Sequence, residues 1–223
     1  AYGLFNEDRR LADKVLGSLV PRSRRPGDGR VKVGHFTDTF LEINGVALTI
    51  RRSLSLARAM GKDMTVITAY PKGQVTEPGV TNFAPIGAFS LPEYPELAVH
   101  YPPILDMLRH AYHANFTHLH SATPGPVGLA ALLVSRILKL PIHATYHTQI
   151  PQYARQLTGD EAMEDLAWKY TIWYYQQMDL VYAPSKAMAD ELVERGISPE
   201  KISLFPRGVD TELFHPAKRN GAV

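Results

Sequence analysis

The feature that most constrains this chain is a β-branched run, then a polar loop, then an amphipathic run. Val31-Lys-Val-Gly-His-Phe36 reads as a buried strand. Ile50, Leu54 and Ala57 recur at helical spacing as far as Gly61, a C-terminal stop. The loop between them closes on Asn44-Gly45. Asn44 suits the N-cap of the helix, and Gly45 lets a ligand approach backbone with no side chain in the way. The N–H groups of Gly45, Val46 and Ala47 then point out of a helix N-terminus, which suits a phosphate. A plain strand–turn–helix corner explains the same residues, and this stretch alone does not decide between the two.

The alternation continues along the chain. Met64–Ala69 reads as a second strand, with a weaker third near Phe83–Ile86. Ile104, Leu105, Leu108 and Tyr112 mark a helix, followed by a strand over Phe116–His120. Pro124-Gly-Pro opens a helix over Val127–Lys139, and Pro141 leads into a strand over Ile142–His147. An aromatic helix spans roughly Asp160–Gln177, then come a strand Leu180–Ala183, a helix Lys186–Arg195 and a last strand Lys201–Phe205. Such a series predicts an α/β fold, a Rossmann-like doubly wound parallel sheet with helices on both faces. Ligands in these sheets bind at the carboxyl ends of strands, where strand order reverses. The Asp38–Gly45 loop should therefore face His120-Ser-Ala-Thr-Pro124, with His147-Thr148 one strand further on. Residues 1–30 read as an N-terminal helix, with Leu4, Leu11, Val15 and Leu19 on one face, and a basic linker.

Composition narrows the chemistry. The 223 residues carry a net charge of +2, a mild excess that does not call for nucleic acid. Arg22, Arg24, Arg25 and Arg30 cluster in the linker, which suggests a solvated segment or contact with an anionic membrane surface. There is no cysteine, hence no disulfide framework or thiolate chemistry, and a reducing, cytoplasmic compartment is expected. The longest apolar run, Val127–Leu138, falls well short of the roughly 20 residues a spanning helix needs. The chain opens on Ala1 and has its first methionine at Met60, so it reads as a piece of something longer. His118-x-His120 and His143-x₃-His147 raise a zinc reading, but His143 and His147 would lie roughly 13 Å apart along one strand. No cysteine or neighbouring acid completes a ligand set, and no metal is expected. On the aromatic helix, Met163, Leu166, Ala167, Tyr170, Trp173 and Tyr174 form the expected core stripe. Trp168 and Tyr175 fall off it, toward a partner or lipid interface. Neither a Gly-x-Gly-x-x-Gly nor a Walker lysine follows the first strand.

Four stretches together resemble the amino-terminal half of family-four retaining glycosyltransferases, enzymes of the two-domain GT-B architecture. They are Phe36-Thr-Asp-Thr-Phe-Leu-Glu-Ile-Asn-Gly-Val46, Ala144-Thr-Tyr-His-Thr-Gln-Ile-Pro-Gln-Tyr153, Ala183-Pro-Ser-Lys186 and Pro206-Arg-Gly-Val-Asp-Thr-Glu-Leu-Phe-His-Pro216. The resemblance covers roughly residues 31–216. It implies a glycosyltransferase domain over 31–210 and an interdomain segment over 211–223, with the donor domain absent. It also implies a nucleotide-sugar donor, a lipid, sugar or sugar-phosphate acceptor, and transfer with retention and no cofactor. By the same resemblance Asn44, Gly45, Val46 and Arg207 are donor-binding, with Gly208 and Asp210 near the interdomain cleft. His147 sits at the reaction centre, and Asp38, His120, Tyr153 and Arg155 line the acceptor side. No protein nucleophile is required in such a transfer, in keeping with the lack of a Ser/His/Asp or paired-carboxylate constellation. A different class, a non-catalytic nucleotide- or membrane-binding α/β module, remains open, because fold does not fix function.

Overall fold

A computed structural model of the chain describes residues 1–19, 30–91, 94–206, 208, 211 and 215, and among these residues nine strands and seven α-helices are formed. The strands β1 (Lys32–Phe36), β2 (Asp63–Thr68), β3 (Val80–Asn82), β6 (His118–Ser121), β7 (Ile142–Thr145), β8 (Leu180–Ala183) and β9 (Ile202–Leu204) form one sheet. Its order is β3-β2-β1-β6-β7-β8-β9 and every pairing is parallel. Strand order reverses between β1 and β6, where His35 pairs with His120 and Phe36 with Ser121. The sheet is therefore doubly wound, as the alternation predicts, with its switch point beside the first loop.

Helices cover the two faces unequally. On one face lie α3 (Ile104–Ala114), α4 (Pro126–Leu138), α7 (Lys186–Glu194) and the end of α6 (Glu161–Gln176). They bury Met107, Val134, Tyr174 and Leu192 against Phe36, Leu119, Ile142 and Val181. Each such aliphatic or aromatic side chain contributes about 1.5–3 kcal/mol when fully buried. The opposite face carries α2 (Gly45–Ala59), whose Ile50 and Leu54 pack on Phe40, Val66 and Tyr70. Helix α1 (Tyr2–Leu19) lies across the far ends of α3 and α4. There Asn6 and Arg10 donate to the Leu138 and Lys139 carbonyls, and Arg9 to the Tyr112 carbonyl. Orphan carbonyls at two helix C-termini are thus met by donors, two of them cationic, where the macrodipole favours positive charge. Among the described residues no helix is long and apolar enough to cross a membrane.

Several elements depart from the sequence reading. The weak strand expected near Phe83–Ile86 is not formed; a short parallel strand β3 lies just before it, and an unexpected antiparallel hairpin, β4 (Gly87–Leu91) with β5 (Tyr94–Tyr101), follows it. Helix α5 (Ile150–Thr158) was not foreseen; Pro151 fits its first turn, where no N–H is needed, and Gly159 closes it with φ +67°. The core stripe of α6 is also rotated from the expected one. Trp168, Thr171, Tyr174 and Tyr175 are buried, whereas Met163, Leu166 and Trp173 are exposed. Apolar side chains stand on most faces of this helix, so periodicity placed only part of the stripe: Tyr174 is buried and Ala167 and Tyr170 are half-buried as expected, but Trp168, Thr171 and Tyr175 extend the buried side beyond it. Trp168 and Tyr175 are consequently unavailable to a lipid interface, and Trp168 lies under the Arg195 guanidinium, 4.2 Å from its ring centroid. The basic linker, apart from Arg30, lies outside the described residues, as do Arg207, Asp210 and most of 211–223.

Candidate functional site

The first loop is held from within by a polar network. The Glu42 carboxylate accepts from the Thr39 hydroxyl at 2.7 Å, the Phe40 N–H at 2.8 Å and the Tyr70 hydroxyl at 2.8 Å. Burial, and then Glu42 itself, pushes the Tyr70 phenol up, so its proton stays available for donation. Asn44 Nδ2 donates to the Thr39 hydroxyl at 2.9 Å, which fixes the amide. Its Oδ1 then accepts from the Val46 and Ala47 N–H groups at 3.0 and 2.9 Å. Asn44 is thus the N-cap the sequence suggests, with one correction. Two of the three N–H groups expected to face a phosphate are already taken by the cap. Gly45, exposed at the first position of α2, keeps the open approach.

Across the switch point, Asp38 has an internal partner set. Its carboxylate accepts from the Thr123 hydroxyl at 2.7 Å and from the Val127 and Gly128 N–H groups at 2.8 and 3.3 Å. It therefore caps α4, a role that contributes about 1 kcal/mol in typical helices. Burial raises its pKa above the ordinary carboxylate value, against the pull of those donors. Gly125 leaves room for it: a Cβ there would stand 2.5 Å from Asp38 Cγ. Asp38 was assigned to the acceptor side; the structure makes it the joint between the first loop and α4.

His35, His120 and His147 gather at the carboxyl ends of β1, β6 and β7, close enough for a charge on one to be felt by the others. The His35 and His120 rings stack at 4.5 Å, only 4° from parallel, and His120 Nε2 pairs with the Thr145 hydroxyl at 3.0 Å. Parallel rings aim their in-plane lone pairs side by side, so this pair does not converge on a shared ion. His35 is buried and its Nε2 has no hydrogen-bond partner. Burial, and then His147, pushes the His35 pKa down to about 3. Burial, then His35, His147 and His143, drives His120 well below its usual value.

This pair should make stability depend on pH. Both histidines have folded-state pKa values below the unfolded value near 6.5, so only the unfolded chain binds their protons as pH falls. Stability is complete above about pH 6.5 and is lost progressively below it, by up to about 1.4 kcal/mol per pH unit for each histidine. The raised pKa of Asp38 acts in the opposite sense at lower pH. Melting temperature is expected to drop between pH 7.5 and 5, and His35→Phe should flatten the slope. A melting temperature constant across that range would contradict this account.

The remaining predicted residues do not all converge. Tyr153 and Arg155 lie two apart on α5 and so project to different faces. Tyr153 is exposed, whereas Arg155 turns to α6 and pairs with Glu161 at 3.0 Å and Glu164 at 3.1 Å. Those ion pairs fasten the α5–α6 hairpin. Sequence reasoning missed Glu42 and Tyr70, and it missed the α6 tyrosines. Tyr170 donates to the Pro124 carbonyl at 2.5 Å, Tyr174 pairs with Ser121 at 2.6 Å, and Tyr175 donates to the Thr145 carbonyl at 3.2 Å. Three aromatic hydroxyls on one helix tie it to two strand ends. The spacing Tyr170-x₃-Tyr174-Tyr175 was the only available signal.

A doubly wound parallel sheet whose switch point is bordered by a glycine-led helix N-terminus and a strand-end histidine is a Rossmann-like α/β domain. Residues 43–213 match the profile of Glycosyltransferase Family 4, and the chain belongs to that family. It is 27% identical over 201 residues to a GDP-mannose-dependent alpha-mannosyltransferase of Corynebacterium glutamicum, covering 86% of this chain and 47% of that one. It is 25% identical over 191 residues to an alpha-monoglucosyldiacylglycerol synthase of Streptococcus pneumoniae, covering 82% and 42%. The chain thus spans about half the length of these relatives. Its fold is that of Anabaena HepE, solved with UDP-glucose, at a TM-score of 0.57 and 16% identity over 84% of this chain and 47% of that one. Sucrose-phosphate synthase from Thermosynechococcus elongatus superposes at 0.54 with 15% identity, over 84% and 50%.

Proposed function

We propose that this chain is the acceptor-side half of a retaining glycosyltransferase that moves a sugar from a nucleotide-sugar donor to a lipid or sugar acceptor. The observation that carries the reading is family membership across residues 43–213. The relatives' names supply the substrate classes: one uses GDP-mannose and another makes a glucosyl lipid, while a fold neighbour was solved with UDP-glucose. In this reading the donor diphosphate lies at the N-terminus of α2 beside Gly45, met by the helix dipole, with Arg207 adding charge and no metal required. His147 hydrogen-bonds the transferred sugar, and His120 and Tyr153 border the acceptor. The reaction takes place at the cytoplasmic side, and the basic segment Arg22–Arg30 draws the protein to anionic lipid.

Assays separate these elements. The isolated chain and the protein carrying both halves are to be given a panel of nucleotide sugars with lipid and sugar acceptors. Transfer is expected only with both halves present; robust transfer by this chain alone would refute the division of labour. In the two-half protein Gly45→Val is expected to weaken UDP or GDP binding by about 10-fold or more, because a branched side chain blocks the backbone approach. Titration calorimetry reads this, and unchanged affinity with a large fall in melting temperature would show a turn glycine instead.

A further inference from the structure

The chain leaves β7 through a turn that is clasped at two points. The Thr145 carbonyl accepts from the His147 N–H at 3.1 Å, closing a three-residue turn around Tyr146. Tyr146 is fully buried, and its ring meets that of Tyr175 edge-on, with centroids 5.5 Å apart and planes at 88°. The Tyr175 hydroxyl donates to the same Thr145 carbonyl at 3.2 Å. One side chain on α6 therefore touches both the centre of the turn and the carbonyl that closes it. On the other side of the strand, the Thr145 hydroxyl is held by His120 Nε2. Three contacts converge on Thr145, two residues before His147.

We propose that Tyr175 is a positioning residue, which acts through the Thr145 carbonyl and the Tyr146 ring to set where His147 stands over the crevice. Tyr175 cannot touch substrate, since it is buried on the face of the sheet that carries α4 and α7. Burial also holds its phenol far above the usual pKa, so the hydroxyl remains a donor at any working pH. Without it the Thr145 carbonyl keeps only the local bond from the His147 N–H, and the turn is free to relax toward the space the hydroxyl vacates. A displacement of even a fraction of an ångström at a reacting centre is costly in rate.

The inference rests on the assignment of His147 to the reaction centre, and a double-mutant cycle keeps the two apart. The protein carrying both halves is to be prepared as Tyr175→Phe, His147→Ala and the double variant. Tyr175→Phe keeps the ring, so folding is checked by its melting temperature. Expected is a fall in kcat of about 10-fold with donor KM within about twofold. In the His147→Ala background the same change should alter kcat by less than about twofold. Equal losses in both backgrounds, or a Tyr175→Phe enzyme with normal kcat, would overturn the proposal. Near-normal turnover of His147→Ala would overturn the assignment of His147 and the proposal with it.

Discussion

Gly128→Ala is expected to lower the melting temperature by about 6–12 °C, corresponding to roughly 3 kcal/mol or more in a domain of this size. An added Cβ would collide with the Thr123 carbonyl and would stand 2.6 Å from the Tyr174 hydroxyl and 2.7 Å from Ser121 Oγ. None of these neighbours can move cheaply. The carbonyl is backbone, and the two hydroxyls are bonded to each other at 2.6 Å in the buried layer between α4, α6 and β6. Helix α4 would have to withdraw from the sheet, weakening the Asp38 bonds to the Val127 and Gly128 N–H groups. Leu129→Ala, at the next position on the partly exposed side of α4, supplies the comparison and should cost much less. Thermal or denaturant melts measure both. A Gly128→Ala protein melting within about 2 °C of the parent would show that α4 can shift without penalty, contrary to this packing.

His147→Ala is expected to reduce turnover by about 10²-fold or more in the protein carrying both halves, with little effect on folding. The residue follows the buried turn at Tyr146, is itself half-buried, and stands within charge range of His35 and His120. Removing its imidazole deletes a polar group placed at the strand end where the donor sugar would lie. The core residues Ala144 and Tyr146 beneath it keep their packing. Steady-state kinetics with the best donor from the panel, together with a melt, provide the test. Turnover within threefold of the parent would leave His147 a structural role only.

Regular segments were legible in the sequence because their periodicity reflects one-sided burial. β8 was read over the same residues the structure shows, and α2, α4 and α7 differ only at their ends. The capping role of Asn44 was legible too, since it depends on local chemistry alone. What could not be read is long-range pairing of polar groups. Asp38 and Arg155 looked like free ligands, but one is taken up by α4 and the other by α6. Nothing local distinguishes a carboxylate that meets a substrate from one that meets a helix 85 or more positions away. Helix α6 failed for the opposite reason, having apolar side chains on so many faces that no single orientation stood out.

The Asp38 joint also bears on how the molecule assembles. It sits on the seam between two sequence-local lobes, β1-β2-β3 with α2 and β6 to β9 with their helices, whose strands join through the β1–β6 ladder. Asp38 and Thr123 are separated by 85 positions, so the seam closes the longest loop in the sheet and carries the largest entropic barrier to contact. Each lobe can gather its own strands before that event. The crevice, which is built from both lip and floor of the seam, comes into being only when the lobes dock. A refolding chain should therefore regain helical content ahead of the packing at the β1–β6 seam, and substitutions at Asp38 should slow the later phase more than the earlier one.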